Sequence, residues 1–258
     1  MNLQGRTAIV TGGGTGIGRA VVKALAEAGA AVMAVGRRRE VVDEVATELR
    51  MAGKKAWSLS CDVADPKSVD ACAAEIPKLL GVVDILVNSA GIAYSESFRK
   101  VSLDDWERHL RVNATGAFLC AKAFLPLMLE RKWGRIVTVA SVAGLSSGPY
   151  LAAYSASKHA VIGLTRSLAA EVADKGVTVN AVCPGFVDTD LTRASVDRIV
   201  EKTGMTREQA QQKLAEQSPQ KRLMTAEEVA FAVTFLCDER ARGINGQAIV
   251  IDGGALLA

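Results

Sequence analysis

The chain has 258 residues, of which 49% are hydrophobic but only 5% aromatic, and it carries a formal net charge of +3. That length suits one large α/β domain with an aliphatic core, and Lys and Arg form neither a stripe nor a block, which argues against a nucleic-acid surface. No run reaches ~18 uninterrupted apolar residues and no charged region precedes an apolar stretch at the start, so a cytoplasmic protein with no membrane partner is expected.

The first predicted strand, residues 6–10, leads into TGGGTGIG, Thr11 to Gly18, and then into an amphipathic helix to residue 28. Strand, glycine turn and helix bring free backbone N–H groups and the positive end of a helix dipole to a pyrophosphate. Gly12, Gly16 and Gly18 are spaced G-x-x-x-G-x-G, which differs from G-x-G-x-x-G, and no Lys-Ser/Thr follows to make a P-loop. The second strand, 31–35, ends at GRRRE. An acid at such a strand end bonds the adenosine ribose 2′-hydroxyl, whereas arginine accommodates a 2′-phosphate. Gly36 holds the acid position and Arg37 and Arg38 follow, so NADP(H) is expected over NAD(H), with Arg37 the leading ligand.

A helix to residue 52 and a strand at 56–60 come next, then Cys61-Asp62-Val63. Asp62 at that strand's end is placed to take the adenine amino group, and Val63 to lie against the ring. A helix over 66–80 and a strand at 84–87 lead to NSAG, Asn88 to Gly91, a small-residue floor in which Asn88 either flanks a cofactor or ties its strand to a neighbour. Residues 103–131 read as long helical structure holding one polar residue, Asn113, in an apolar stripe; a buried asparagine needs partners. After a strand at 135–140, Ser141 sits where open α/β sheets place ligands.

A helix over 154–173 carries Tyr154 and Lys158, four apart and therefore on one face. A phenol with a pKa of about 10 becomes a usable acid or base when a cation beside it favours the phenolate. A strand at 177–182 and PGFVDTD follow. Residues 188–218 are polar and weakly periodic and break the strand–helix alternation, as a substrate lid of about 186–222 would. A helix over 226–238 and a strand at 247–251 close the chain. With no linker or repeat, residues 1–258 are expected to form one dinucleotide-binding domain.

Alternating strands and helices predict a doubly wound parallel sheet with helices on both faces. Taken together, Thr11–Gly18, Asn88–Gly91, Asn113, Ser141, Tyr154, Lys158 and Pro184-Gly185 closely resemble the short-chain dehydrogenase/reductase family over essentially the whole length. The resemblance implies a Rossmann-type sheet of about seven strands, a small helical lid, and hydride transfer between nicotinamide and a ketone or secondary alcohol. It implies a catalytic set of Asn113, Ser141, Tyr154 and Lys158. Tyr154 would donate the proton, Ser141 would hold the substrate oxygen, Lys158 would hold the nicotinamide ribose and keep Tyr154 acidic, and Asn113 would anchor a relay water. Gly12, Thr15, Gly16, Ile17 and Gly18 would surround the pyrophosphate. Asn88, Ala90 and Gly91 would flank the cofactor, Val187 and Thr189 would meet the nicotinamide amide, and Pro184 and Gly185 complete the set. Ser89 departs from the family's usual asparagine without touching a reacting group. NAVCPGFVDT and YSASKH are most similar to 3-ketoacyl-thioester reductases and polyketide ketoreductases, with Lys132 and Lys175 where carrier-protein-dependent enzymes are basic. Similar motifs occur in 3-hydroxybutyrate and other secondary-alcohol dehydrogenases. A homotetramer is implied, with 103–131 and 154–173 between subunits.

Other readings fit less well. GLSSG, residues 144–148, matches a hydrolase elbow, but Pro149 follows closely and only His159 lies downstream. A non-catalytic dinucleotide-binding regulator would need a defect in the reacting residues, and none is evident. His109 is expected at the surface and His159 on a helix. The five cysteines have no metal or C-x-x-C spacing and read as reduced core residues, and no metal site is expected.

Overall fold

The computed structural model describes residues 1–257. Its strands are β1 (Thr7–Thr11), β2 (Ala31–Gly36), β3 (Ala56–Ser60), β4 (Ile85–Asn88), β5 (Gly134–Val139), β6 (Val177–Pro184) and β7 (Ala248–Ile251). They form one seven-stranded parallel sheet in the order β3-β2-β1-β4-β5-β6-β7. Strands buried on both faces are near-continuous in Val, Ile, Leu and Ala, which is why they are readable as apolar runs.

Alternate side chains go to opposite faces. Ala8 and Val10 join the core built with α1 (Gly16–Glu27), α2 (Arg39–Met51) and α9 (Ala226–Cys237), through Val22, Leu25, Val45 and Val233. Ile9 joins the opposite core, against α3 (Pro66–Leu80) and α5 (Gly116–Glu130), through Ile76, Phe124 and Met128. The chain leaves β1 toward β2 and β3 and returns on the other side as β4, so a crevice opens above the C-terminal ends of β1 and β4. Thr11 Oγ1 accepts from the Ser89 and Ala90 N–H groups at 3.2 and 3.3 Å and ties those two ends together.

The predicted helix over 103–131 is interrupted. α4 (Leu103–His109) passes through a π turn, Leu110–Thr115, before α5 begins. By length and composition the run Leu103–Glu130 could cross a bilayer, yet Cys120, Ala121, Phe124 and Met128 are buried in the core against the sheet. His109, expected at the surface, is buried: Nδ1 pairs with the Asp105 carbonyl at 2.7 Å and Nε2 accepts from the Tyr94 N–H at 3.2 Å. Two specific partners satisfy the ring, so burial costs little. α6 (Ala152–Glu171) starts two residues before the predicted helix, which puts Tyr154 in its first turn.

The polar segment after β6 folds into α7 (Asp190–Thr203) and α8 (Arg207–Ala215), packed through Val196, Ala210 and Leu214. Their polarity fits two short helices with one small apolar seam between them.

Candidate active site

A cleft of about 710 Å³ runs along the C-terminal ends of the strands, from Gly12 past Ala90 and Ser141 to Val187 and the face of α7. It shares Gly12, Thr15, Arg38, Ala90 and Gly91 with a cavity of about 300 Å³ lined by Gly36, Arg37, Asp62 and Val63. Gly12 has φ +66°, and a Cβ there would lie 2.8 Å from the Ala90 Cα, so the crossing of turn and floor needs glycine. A Cβ on Gly18 would run into the Gly12 carbonyl. Thr15, at the N-cap of α1, makes no side-chain cap bond, which leaves the first N–H groups of the helix for a ligand. Long, polar at one end and walled by backbone, this pair of spaces fits a dinucleotide laid across the crevice.

At the end lined by Gly36 and Asp62, Arg37 and Arg38 are exposed and form no ion pair among the described residues, whereas Arg39 is bonded to Asp43 at 2.9 Å. Asp62 Oδ1 accepts from the Ala64 N–H at 3.0 Å, which fixes the carboxylate at the cavity wall. Val63 reaches that wall because Gly116 has no side chain: a Cβ there would be 2.8 Å from a Val63 methyl.

At the other end Ser141, Tyr154 and Lys158 line the cleft together. Ser141 follows β5 and caps a short turn, its Oγ accepting from the Ala143 N–H at 3.1 Å. Lys158 donates to the Val139 carbonyl at 2.9 Å, with Nζ 5.7 Å from the Tyr154 ring centroid. Burial pushes the lysine down to about 8, because an ammonium loses hydration there. Burial also raises the Tyr154 phenol, and the neighbouring Ser141 hydroxyl opposes that rise. Of these two influences on the phenol, desolvation is the larger.

Asn113 lies in the π turn and does not line the cleft. Its Oδ1 accepts from the Ile92 N–H at 2.8 Å, and Nδ2 donates to the Ile92 carbonyl and the Ser157 hydroxyl, each at 2.9 Å. A single carboxamide thus ties the loop after Gly91 to α6. A Cβ on Gly91 would sit 3.2 Å from Asn113 Oδ1 and 3.7 Å from Lys158 Nζ, so both side chains flank that glycine. Asn88 is also outside the cleft, buried with its Oδ1 unpaired among the described residues. Thr15, Gly16, Ile17, Gly18, Ala90, Gly91, Pro184, Gly185, Val187 and Thr189 all line it.

The sequence reading missed Tyr94, Leu191, Thr192, Ser195 and Arg198, which close the cleft from the loop after β4 and from α7. For α7 a signal existed, since 191, 195 and 198 recur at helical spacing. For Tyr94 none did. A third cavity, about 260 Å³, opens beside Tyr154 and Ser141 and is lined by Leu151, Phe186, Leu191 and Leu256. Lys132 and Lys175 are exposed; Lys175 is bonded to Asp174 at 2.9 Å, and the Lys132 carbonyl abuts Gly176. All five cysteines are buried and free.

A doubly wound sheet with a dinucleotide-shaped crevice and a Ser, Tyr, Lys cluster lining one stretch of it fits a nicotinamide-dependent oxidoreductase. Residues 6–200 match the family model for short chain dehydrogenase. The chain is 40% identical over 255 residues to a 3-oxoacyl-(acyl-carrier-protein) reductase of Aquifex aeolicus, covering 98% of each. It is 34% identical to D-beta-hydroxybutyrate dehydrogenase of Rhizobium meliloti, covering 96% of this chain and 98% of that protein. Among solved structures, an actinorhodin polyketide ketoreductase with NADPH superposes with a TM-score of 0.94 at 34% identity, covering 97% of each chain. The chain belongs to the short-chain dehydrogenase/reductase family and is an NAD(P)-dependent oxidoreductase acting on alcohol and ketone groups.

Proposed function

We propose that this enzyme uses NADPH to reduce a 3-ketoacyl thioester to the 3-hydroxy form. The observation that carries the reading is the position of Tyr154 and Ser141 on the wall shared by the long cleft and the smaller cavity lined by Leu151, Phe186, Leu191 and Leu256. A ketone oxygen held there would face both hydroxyls, and the apolar cavity would receive the acyl group.

The bound dinucleotide supplies the hydride. Ser141 holds the ketone oxygen and stabilises the negative charge growing on it. Tyr154 gives that oxygen its proton, and its raised pKa keeps it in the acid form needed for reduction. Lys158 would stabilise the phenolate left behind and would hold the nicotinamide ribose of a bound dinucleotide. Asn113 positions Ile92 and Ser157 through its side chain, and its role as anchor of a relay water rests on the family resemblance. Arg37 and Arg38, free of carboxylates, take the 2′-phosphate. The chain forms one domain, works in the cytoplasm as a homotetramer, and α7 and α8 act as its substrate lid. Lys132 and Lys175 form the exposed basic face a carrier protein would meet.

A second reading, oxidation of 3-hydroxybutyrate or another secondary alcohol, shares every residue and runs the same proton path backward. The 34% identity to D-beta-hydroxybutyrate dehydrogenase favours keeping it. The test is NADPH oxidation with acetoacetyl-CoA, acetoacetate and aryl ketones beside NAD(P)⁺ reduction with 3-hydroxybutyrate. Tyr154→Phe should reduce kcat by about a hundredfold or more in either direction, and a Phe variant at the parent rate would show that another group is the acid.

A further inference from the structure

The cations of α7 are treated unequally. Arg193 reaches Asp188 and Asp190, and Lys202 reaches Glu96. Arg198, between them, has no carboxylate partner among the described residues; its side-chain hydrogen bond runs from Nη1 to the Ser95 hydroxyl at 3.4 Å. It is also the α7 cation that lines the cleft, and it is half-buried there. A guanidinium that gives up part of its hydration without gaining an anion is a cost the lid helix otherwise avoids.

Tyr94 makes the arrangement more pointed. Its ring lies under Arg198, with Cζ 5.6 Å from the centroid, and beside Arg108 of α4 at 5.5 Å. Arg108 likewise pairs with no carboxylate among the described residues. Two separate elements thus bring unpaired cations to one ring, and that ring borders both the cleft and the apolar cavity. The ring is held firmly: the Tyr94 N–H donates to the buried His109, whose own ring packs edge-on against Tyr94 at 5.4 Å. The other cations of the cleft are engaged elsewhere, Lys158 on the Val139 carbonyl and Arg38 toward the adenosine end.

We infer that Arg198 is a substrate-specificity residue: it receives an anionic group, a carboxylate or a phosphate, carried by the ketone substrate, while Arg108, beside the same Tyr94 ring, adds to the attraction. The guanidinium presents paired N–H donors that match either oxyanion. This rests on the ketone-reductase reading above. The anion has two sources of the same chemistry, the carboxylate of a free 3-keto acid or the phosphates of a CoA-type thioester.

The test measures kcat/KM with NADPH for acetoacetate, acetoacetyl-CoA and uncharged ethyl acetoacetate, on the parent, Arg198→Gln and Arg198→Lys, with melting temperature as the folding control. Gln is expected to lower the ratio of anionic to neutral kcat/KM by about tenfold or more, through KM, for at least one anion, and Lys to restore part of it. Loss confined to acetoacetate assigns the carboxylate, and loss confined to acetoacetyl-CoA assigns the phosphates. An equal effect on all three ketones, no effect, or a parallel loss of NADPH affinity overturns the assignment. Calorimetry separates this outcome from the assignment of activity: 3-hydroxybutyrate and CoA are each titrated into NADP⁺-loaded protein. Should the parent reduce none of the ketones, the reading of function fails, while binding of either anion that disappears in Arg198→Gln still supports the site. Binding of neither anion by the parent overturns it.

Discussion

Burial takes Lys158 from an ordinary ammonium to a group that titrates at about 8, while the same burial keeps the Tyr154 phenol protonated above its usual range. The two shifts act in opposite directions on charge because desolvation favours the neutral form of each. Ketone reduction needs the tyrosine as an acid and the lysine as a cation, so both are in the required state below about 8. As pH rises through that value Lys158 loses its proton first. The expected profile is therefore flat from about pH 6 to neutrality, then falling toward about tenfold per unit on the alkaline side. Alcohol oxidation, which starts from the phenolate beside a protonated Lys158, should instead rise with pH up to about 8 and then level off as the lysine loses its proton. Arg198 and Tyr94 show the limit of reading residues singly: their importance lies in which partners they lack or share, and that is visible only when the loop after β4 meets α7.

At the level of elements, the proposed preference for NADPH rests on the junction of β2 and α2. Gly36 ends the strand with no carboxylate, Arg39 is spent on Asp43, and Arg37 and Arg38 remain free at the cavity wall. NADPH is expected to bind at least about tenfold more tightly than NADH, a difference that a 2′-phosphate with charge-assisted hydrogen bonds readily supplies. Fluorescence titration of both cofactors checks it. Arg37→Ala should remove most of the difference, and an NADH preference in the parent would contradict it. This junction was legible in the sequence because the strand end and its neighbours are consecutive residues. The π turn at Leu110–Thr115 was not: its widened helix is stabilised by Asn113 reaching Ile92 and Ser157, contacts of high sequence separation that no helical periodicity encodes. His109 went astray for the same reason, since its partner on Nε2 lies in another segment.

For the molecule as a whole, a sheet buried on both faces announces its strands as Val-, Ile- and Ala-rich runs, so the parallel architecture and the ligand-bearing strand ends could be anticipated. The α7 and α8 segment, proposed as a lid, was legible only as a break in pattern, because its helices share a core of a few residues, Val196, Ala210 and Leu214. The proposed assembly would leave a different trace. Phe231 and Phe235, four apart on α9, are 63% and 43% exposed, Val250 on the edge strand β7 is 40% exposed, and Phe118 on α5 is 45% exposed. Large apolar side chains clustered on a helix face beside an unpaired sheet edge are unfavourable in water and mark a contact surface. With the homotetramer of the proposed function, two surfaces are needed, one around α5 and α6 and one around α9 and β7, since a closed tetramer requires more than a single two-fold contact. Sedimentation of the parent protein at micromolar concentration should therefore give four chains. Phe231→Glu combined with Phe235→Glu should leave dimers held through the α5 and α6 surface, with a melting temperature lower than the parent's at equal concentration. A parent that sediments as a monomer would remove the tetramer, and a double variant that stays tetrameric would move the second contact away from α9.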